Sequence, residues 1–272
     1  IKEETYMKRG FAYNKKTNRR ISAIIPVHVW GNAVYLDKLT KICKEKNISI
    51  LEDASESLGT FYTKGKNKTK HTGTIGKIGC ISFNANKIIT TGGGGVILTN
   101  DKKIARKAMY LITQAKDDPV RYIHDEVGYN YRLTNIHAAI GVSQIDRLNS
   151  FITKKKIIHE RYLSELNDIK GIKIVSTPEY SKNNYWLNIL QIDLKLYNLT
   201  QKKVIDFFEK NNIQARPVWH LNHMQKCYKN FQSYKIKNAN ILIKNSFCLP
   251  SSSNLRENDQ KKVINTIKKM CR

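Results

Sequence analysis

The feature that most constrains the fold is a pair of short apolar strands bracketing one amphipathic helix near the start of the chain. ISAIIPV, Ile21–Val27, is uncharged and rich in isoleucine and valine, the pattern of a strand covered on both faces. In Asn32–Asn47 the apolar residues Leu36, Leu39, Ile42 and Cys43 recur at helical spacing, and Ile48–Leu51 reads as a second strand ending at Glu52–Asp53. A strand, a helix and a strand in such close succession form a crossover unit, which requires a parallel, buried sheet. Cys80–Phe83 and Val96–Thr99 are further strand candidates, and Lys102–Ala115 reads as a helix.

Thr134 opens a strong helical stretch, TNIHAAIGVSQIDRL, and a second amphipathic helix comes next at Ile152–Leu166. After Gly171 the character changes. Strands are predicted at Ile172–Val175, Tyr185–Ile192 and Ile213–Arg216, with helices at Gln201–Lys210 and Glu257–Met270. This is the pattern of a smaller α+β region, so the domain boundary is placed in the long helical segment, giving domains 1–149 and 150–272. Residues Ile1–Arg20 are polar and basic and read as irregular.

Composition narrows the function class. The 272 residues carry 48 Lys and Arg against 22 Asp and Glu, a formal charge of +26, and 37 of the basic residues are lysine spread along the whole length. Readers of base edges favour the planar fork of arginine, and no RNA-recognition, zinc-finger or basic-zipper pattern occurs. The charge therefore reads as lysine-rich usage with a share suited to an anionic small molecule, and no nucleic-acid partner is expected. No apolar run approaches the ~20 residues of a membrane span, so no membrane partner is expected. The five cysteines show no CxxC spacing, which points away from a disulfide scaffold or a zinc site and towards a reducing, cytoplasmic setting. No metal is expected.

Three features fall at the carboxyl ends of predicted strands, where α/β sheets place ligands: Asp53 in EDASESLG, the segment Ser82–Lys87 (SFNANK), and the glycine run Thr90–Gly95 (TTGGGG). The run is no Walker motif, because no Gly-Lys-Ser/Thr comes after it, and it opens a strand, VILT, instead of a helix. Taken singly, the acid reads as a cap, the lysine as surface and the glycines as a turn. Taken together they supply an amine, an acid and a hydroxyl, the groups that a pyridoxal phosphate site needs: a lysine for a Schiff base, a carboxylate beside the pyridine nitrogen, and a phosphate donor.

On these residues, and on GTIGKIGCISFNANKIITTGGGG, GYNYRLTNIHAAIG (Gly128–Gly141), ARPVWHLNH (Ala215–His223) and LPSSSNL (Leu249–Leu255), the chain resembles the DegT/StrS family of pyridoxal phosphate-dependent nucleotide-sugar aminotransferases. The stretch TQAKDDPVRYIHDEVGYNYRLTNI is especially similar to members that aminate a 4-keto sugar on the legionaminic-acid route. The resemblance implies an α/β, fold-type-I transferase: an incomplete large cofactor domain with a mixed, mostly parallel sheet, and a smaller α+β C-terminal domain. It implies Lys87 as the catalytic Schiff-base lysine, which also carries the proton to and from the sugar carbon. Asp53 would pair with the pyridine nitrogen, Glu56 would lie near the ring hydroxyl, and Ser82 would donate to the phosphate. Asn130 would reach the phosphate of the cofactor bound by the other subunit of a homodimer with shared active sites. Arg216, Trp219 and His223 would contact the nucleotide sugar, with His28 lining the same mouth.

The reaction so implied is amino transfer from L-glutamate to a nucleotide diphosphate-linked 4-ketosugar, giving a 4-amino sugar for a surface glycan. Related dehydratases carry histidine at the lysine position, so Lys87 favours amino transfer. His71, His124 and Arg132 are left without a role. Family members also carry, ahead of the PVH strand, a glycine- and serine/threonine-rich turn that holds the phosphate at a helix N-terminus. Nothing like it precedes Ile21, so the chain is expected to be N-terminally truncated. Two alternatives stand beside this reading: an inactive remnant unable to hold the cofactor and, more remotely, a basic nucleic-acid-binding protein.

Overall fold

The computed structural model describes residues 3–271. It divides into two compact units. The first runs to Phe151 and also takes up Thr177–Trp186; the second holds Ile152–Ser176 and everything from Leu187 onward.

The first unit opens with a hairpin, β1 (Thr5–Lys8) and β2 (Phe11–Asn14), in antiparallel register. This corrects the expectation of an irregular lead. Arg9 and Gly10 both have positive φ, 49° and 78°, which is the backbone of the tight turn whose twist matches paired strands. Next come β3 (Ala23–Ile24), α1 (Leu36–Glu45), β4 (Ser49–Asp53), β5 (Phe61–Tyr62), β6 (Ile78–Ser82), β7 (Gly95–Leu98), α2 (Lys102–Ile112) and α3 (Asn135–Ile145). The main sheet has the order β3-β4-β6-β7; β3, β4 and β6 are parallel and β7 is antiparallel to β6. The sheet is thus mixed and mostly parallel, as expected.

Packing in this unit is local. Ala12, Cys43, Ile48 and Ile50 form one small core, and Ala33, Leu36 and Tyr62 form another. Thr134 caps α3 by accepting from His137 N, as its position predicted. Neither α2 nor α3 buries any residue: Ile136 is 76% and Val142 67% exposed on α3, beside the exposed Val127, Tyr129 and Tyr131.

The long α4 (Leu148–Leu166) starts four residues before the predicted helix and continues into the second unit. After it come β8 (Ile172–Ile174), β9 (Ser181–Lys182), β10 (Asn188–Ile192), α5 (Gln201–Lys210), β11 (Arg216–Pro217), α6 (Asn238–Asn245), β12 (Ser246–Leu249) and α7 (Glu257–Met270). The second unit's sheet, β11-β12-β10-β8, is wholly antiparallel. Its one large core joins Tyr162 and Leu166 of α4, Leu190 and Ile192 of β10, Phe208 of α5, Phe247 of β12 and Ile267 of α7. A buried polar seam runs beside it: Lys155 Nζ donates to Ser251 O (2.5 Å), Tyr162 Oη to Pro250 O (3.1 Å), and His159 Nδ1 meets Asn188 Oδ1 at 2.8 Å.

The boundary differs from a single cut at residue 149 because β9 returns to pair with β5 in the first unit. Asn184 then fixes this return. Its side-chain amide donates to Glu56 O and Leu58 O, both at 2.9 Å, and its backbone N donates to Thr60 Oγ1 (3.2 Å). Only after Trp186 does the chain enter β10, so the strand predicted from Tyr185 starts at Asn188.

Candidate active site

The site grows from the carboxyl ends of β4 and β6. On β4, Ile50 and Glu52 are buried while Leu51 and Asp53 turn to the other face, as strand alternation requires. Glu52 anchors the strand end. Its Oε1 accepts from Ile75 N (2.6 Å) and Gly76 N (2.5 Å), and its Oε2 accepts from Gly73 N (2.8 Å) and sits 3.0 Å from His28 Nε2. Burial pushes the Glu52 carboxyl up, but His28 and the backbone N–H groups of Gly76 and Gly73 pull it down further, so it lies below its ordinary value.

His28 corrects an expectation. Its side chain is fully buried, Nδ1 accepts from Val34 N (3.0 Å), and Nε2 faces Glu52. Both ring nitrogens are committed to the fold, so His28 does not line a ligand mouth. Histidine after a strand is a polar signal; the acid that consumes it lies 24 positions away.

Asp53, the last residue of β4, accepts from Ser55 N at 3.0 Å through Oδ1. Three residues on, Glu56 accepts from Trp30 N (2.7 Å), a backbone donor aimed by a left-handed turn in which Trp30 and Gly31 have φ of 59° and 87°. A side chain at Gly31 would collide with the buried amides of Asn183 and Asn184, so only glycine fits there.

Ser82 ends β6, and its Oγ accepts from Asn84 N (3.2 Å). The Asn84–Lys87 turn closes through Lys87 N to Asn84 O (3.0 Å). The glycine run returns the chain to β7: Phe83 N bonds Gly94 O (3.0 Å), and Thr90 N bonds Gln144 Oε1 of α3 (2.9 Å). The run is therefore a pinned connection between antiparallel strands.

Lys87 reaches inward from this turn. Its side chain is 13% exposed, with Nζ 4.0 Å from Glu56 Oε1 and 4.2 Å from the centre of the Trp186 ring. Burial pushes the amine down from its ordinary value, against the raising charges of Glu56 and Asp53. Burial likewise pushes Glu56 up; the Trp30 N–H and the Lys87 charge oppose this, and Asp53 adds to it. An amine held nearer neutrality beside two acids is a nucleophile and a proton carrier.

The structure thus brings Lys87, Glu56 and the charge of Asp53 together, with Ser82 on the neighbouring strand end. Asn130 is exposed, its backbone bridging to Thr113. Arg216, Trp219 and His223 belong to the second unit: Arg216 is exposed on β11, Trp219 is 49% exposed, and His223 sits in a short 3-10 turn, Asn222–Met224. Sequence reasoning missed Trp186, Trp30 and Asn184. The Asn183–Asn184 pair is a turn signal that delimits the strand, but nothing local tells that the turn packs on Glu56. Of the unassigned residues, His71 accepts from Gly59 N (2.7 Å) and holds a turn, and His124 meets Gln114 O at 2.7 Å on the surface. No group of three potential metal ligands occurs among the described residues, and none of their helices is long and apolar enough to cross a membrane.

The mixed, mostly parallel α/β sheet and the second, antiparallel unit match the fold of solved sugar aminotransferases. The structure of the aminotransferase TlmJ from Streptoalloteichus hindustanus superposes with a TM-score of 0.84 at 21% identity, over 94% of this chain and 67% of that one. The chain belongs to the DegT/DnrJ/EryC1/StrS aminotransferase family, whose profile matches residues 1–268. EpsN of Bacillus subtilis (strain 168), named for pyridoxal phosphate-dependent amino transfer, is 35% identical over 271 residues, covering 97% of this chain and 67% of its own length. GDP-perosamine synthase of Vibrio cholerae is 31% identical over 255 residues, covering 93% of this chain and 68% of its own length. The chain thus spans about two thirds of the length of these relatives.

Proposed function

We propose that this chain carries the Schiff-base lysine and the acidic partner of a pyridoxal phosphate-dependent transaminase that converts a nucleotide diphosphate-linked 4-ketosugar to a 4-amino sugar, with L-glutamate as amino donor. The observation that carries the reading is Lys87: a largely buried amine, lowered from its ordinary pKa, projecting from a pinned turn at the sheet's carboxyl edge between Glu56 and Trp186. Family membership and the relatives' names support amino transfer to a nucleotide sugar.

The donor set suits the cofactor. Lys87 offers an amine to its aldehyde, Asp53 a carboxylate to its pyridine nitrogen, and Ser82 a hydroxyl to its phosphate. Glu56, fixed by Trp30 N–H, is assigned to the ring hydroxyl side. When bound, pyridoxal phosphate supplies a carbonyl that accepts and returns an amino group and a conjugated ring that stores the electrons released with a proton. The work left to the protein is local. Asp53 holds a proton at the ring nitrogen, and Lys87 Nζ moves the proton at the sugar carbon that gains nitrogen, for which its depressed pKa suits it.

Arg216, Trp219 and His223 are assigned to the nucleotide sugar, where a guanidinium and an indole suit a diphosphate and a base. Asn130 is assigned to a second copy. In support, it stands in a stretch of chain that exposes large apolar side chains, Tyr129 (49%), Tyr131 (73%) and Ile136 (76%).

The test is chemical. The chain incubated with pyridoxal phosphate should gain a visible absorbance band, and borohydride should fix a cofactor adduct on the peptide containing Lys87, found by mass. A Lys87→Ala variant that still gains the same visible band and the same amount of borohydride-fixed adduct, on another lysine, would sink the assignment. Isotopically labelled glutamate then reads out the donor.

A further inference from the structure

Trp186 is remote in sequence from every residue of the expected site, yet its ring forms one wall of the niche that holds the Lys87 amine. The ring is 4% exposed, with Nζ 4.2 Å from its centre, inside the range at which an ammonium is attracted by an indole face. The ring cannot turn away freely. Its Nε1–H donates to Asn86 O (2.9 Å), the residue preceding Lys87, and its backbone N donates to Asn184 Oδ1 (3.0 Å). Asn184 in turn clamps Glu56 O and Leu58 O, so one short segment fixes both the ring and the stretch that carries the Glu56 carboxylate. The charged groups facing Nζ are Glu56 on one side and Asp53 further off.

We propose that Trp186 is a positioning residue for Lys87: its indole face holds the amine by cation–π attraction, while its Nε1–H fixes the turn from which the lysine projects. Desolvation alone disfavours the charged amine; Glu56 alone would draw the ammonium into an ion pair. The ring provides a third attraction that favours the protonated form without competing for the proton, so Lys87 can pass between its two charge states in one place. The functional meaning of this device rests on the assignment of Lys87 above; its physical basis does not.

The experiment measures the Lys87 amine directly. The full 272-residue chain, without added cofactor, is labelled competitively with acetic anhydride across pH, and the Lys87 peptide is quantified by mass. Indole attracts a cation more strongly than phenol or phenyl. The amine pKa should therefore fall in the order wild type, Trp186→Tyr, Trp186→Phe, and Trp186→Leu should lower it by about 1 pH unit. Equal Lys87 pKa values in wild type, Trp186→Tyr and Trp186→Phe overturn the proposal and leave Trp186 as packing, whatever Trp186→Leu does to folding. A Lys87 that obeys this order but never forms an adduct with pyridoxal phosphate would instead overturn the cofactor assignment and leave the cation–π contact standing.

Discussion

Replacing Glu52 by glutamine changes one atom and should cost much of the first unit's stability. The carboxylate is 1% exposed and accepts from three backbone N–H groups and His28. Glutamine keeps one oxygen, enough for Ile75 and Gly76. Its amide nitrogen would then face Gly73 N–H and His28 Nε2, which carries the proton because Nδ1 already accepts from Val34 N. Two buried donors lose their acceptor. At about 1–3 kcal/mol each the loss is about 2–6 kcal/mol, against the roughly 5–15 kcal/mol that holds a typical domain together.

The folded-state pKa of Glu52 is depressed, so its contribution is present above the unfolded carboxylate pKa and disappears as pH falls through the folded value. Denaturant unfolding at neutral pH and during acidification measures both. The variant should unfold at lower denaturant and lose less stability on acidification, and the Gly73, Ile75 and Gly76 amides should exchange faster. A Glu52→Gln protein within about 1 kcal/mol of wild type, with an unchanged acid limb, would refute the view that this carboxylate organises the end of β4.

Three further outcomes are expected. Burial lowers the Lys155 amine to about 8, so its favourable contribution is present above the unfolded value of 10.5 and lost as pH falls through about 8. Lys155→Met should therefore raise stability near neutrality by about 2 kcal/mol, the buried charge having cost about 3 and the bond to Ser251 O having returned about 1, and should flatten the alkaline rise seen in denaturant titrations. Gly31→Ala should destabilise by about 2–4 kcal/mol, because a Cβ there would stand 2.0 Å from Asn184 Oδ1 at a φ of +87°; thermal melts check it, and a neutral effect would show that the turn can relax. Asp53→Ala should leave the melt nearly unchanged, since among the described residues its side chain hydrogen-bonds only Ser55 N, while reducing amino transfer roughly a hundredfold or more; an unaffected rate removes Asp53 from the site.

What the sequence discloses and what it conceals divide along a physical line. The crossover of β3, α1 and β4 is written in local periodicity, and the helix start at Thr134 in a single capping hydroxyl. Lys87, Asp53 and Ser82 are legible because each ends a strand or comes just after one, where topology alone decides which edge a residue reaches. His28 misleads because its partner is Glu52, and only the pairing of β4 with the residues around Val27 brings the two together. Trp186 is invisible for the same reason: the strand predicted over Tyr185–Ile192 has the right composition, but the amides of Asn183 and Asn184 draw its first residues into a turn that belongs to the first unit. The opening hairpin hides behind its polarity, since its strands are short and mostly half-exposed.

The return of Thr177–Trp186 to the first unit also governs the order in which the protein can be made. Synthesis delivers residues up to Phe151 first, yet the walls around Glu56 and Lys87 need Asn184 and Trp186, which emerge only after the whole of α4 and β8 has been translated. An N-terminal unit emerging from a ribosome ordinarily folds ahead of the later ones. Here it must wait with its niche open until the chain has started the second unit and come back, so a gene fragment ending at the apparent boundary would encode an amine without its wall.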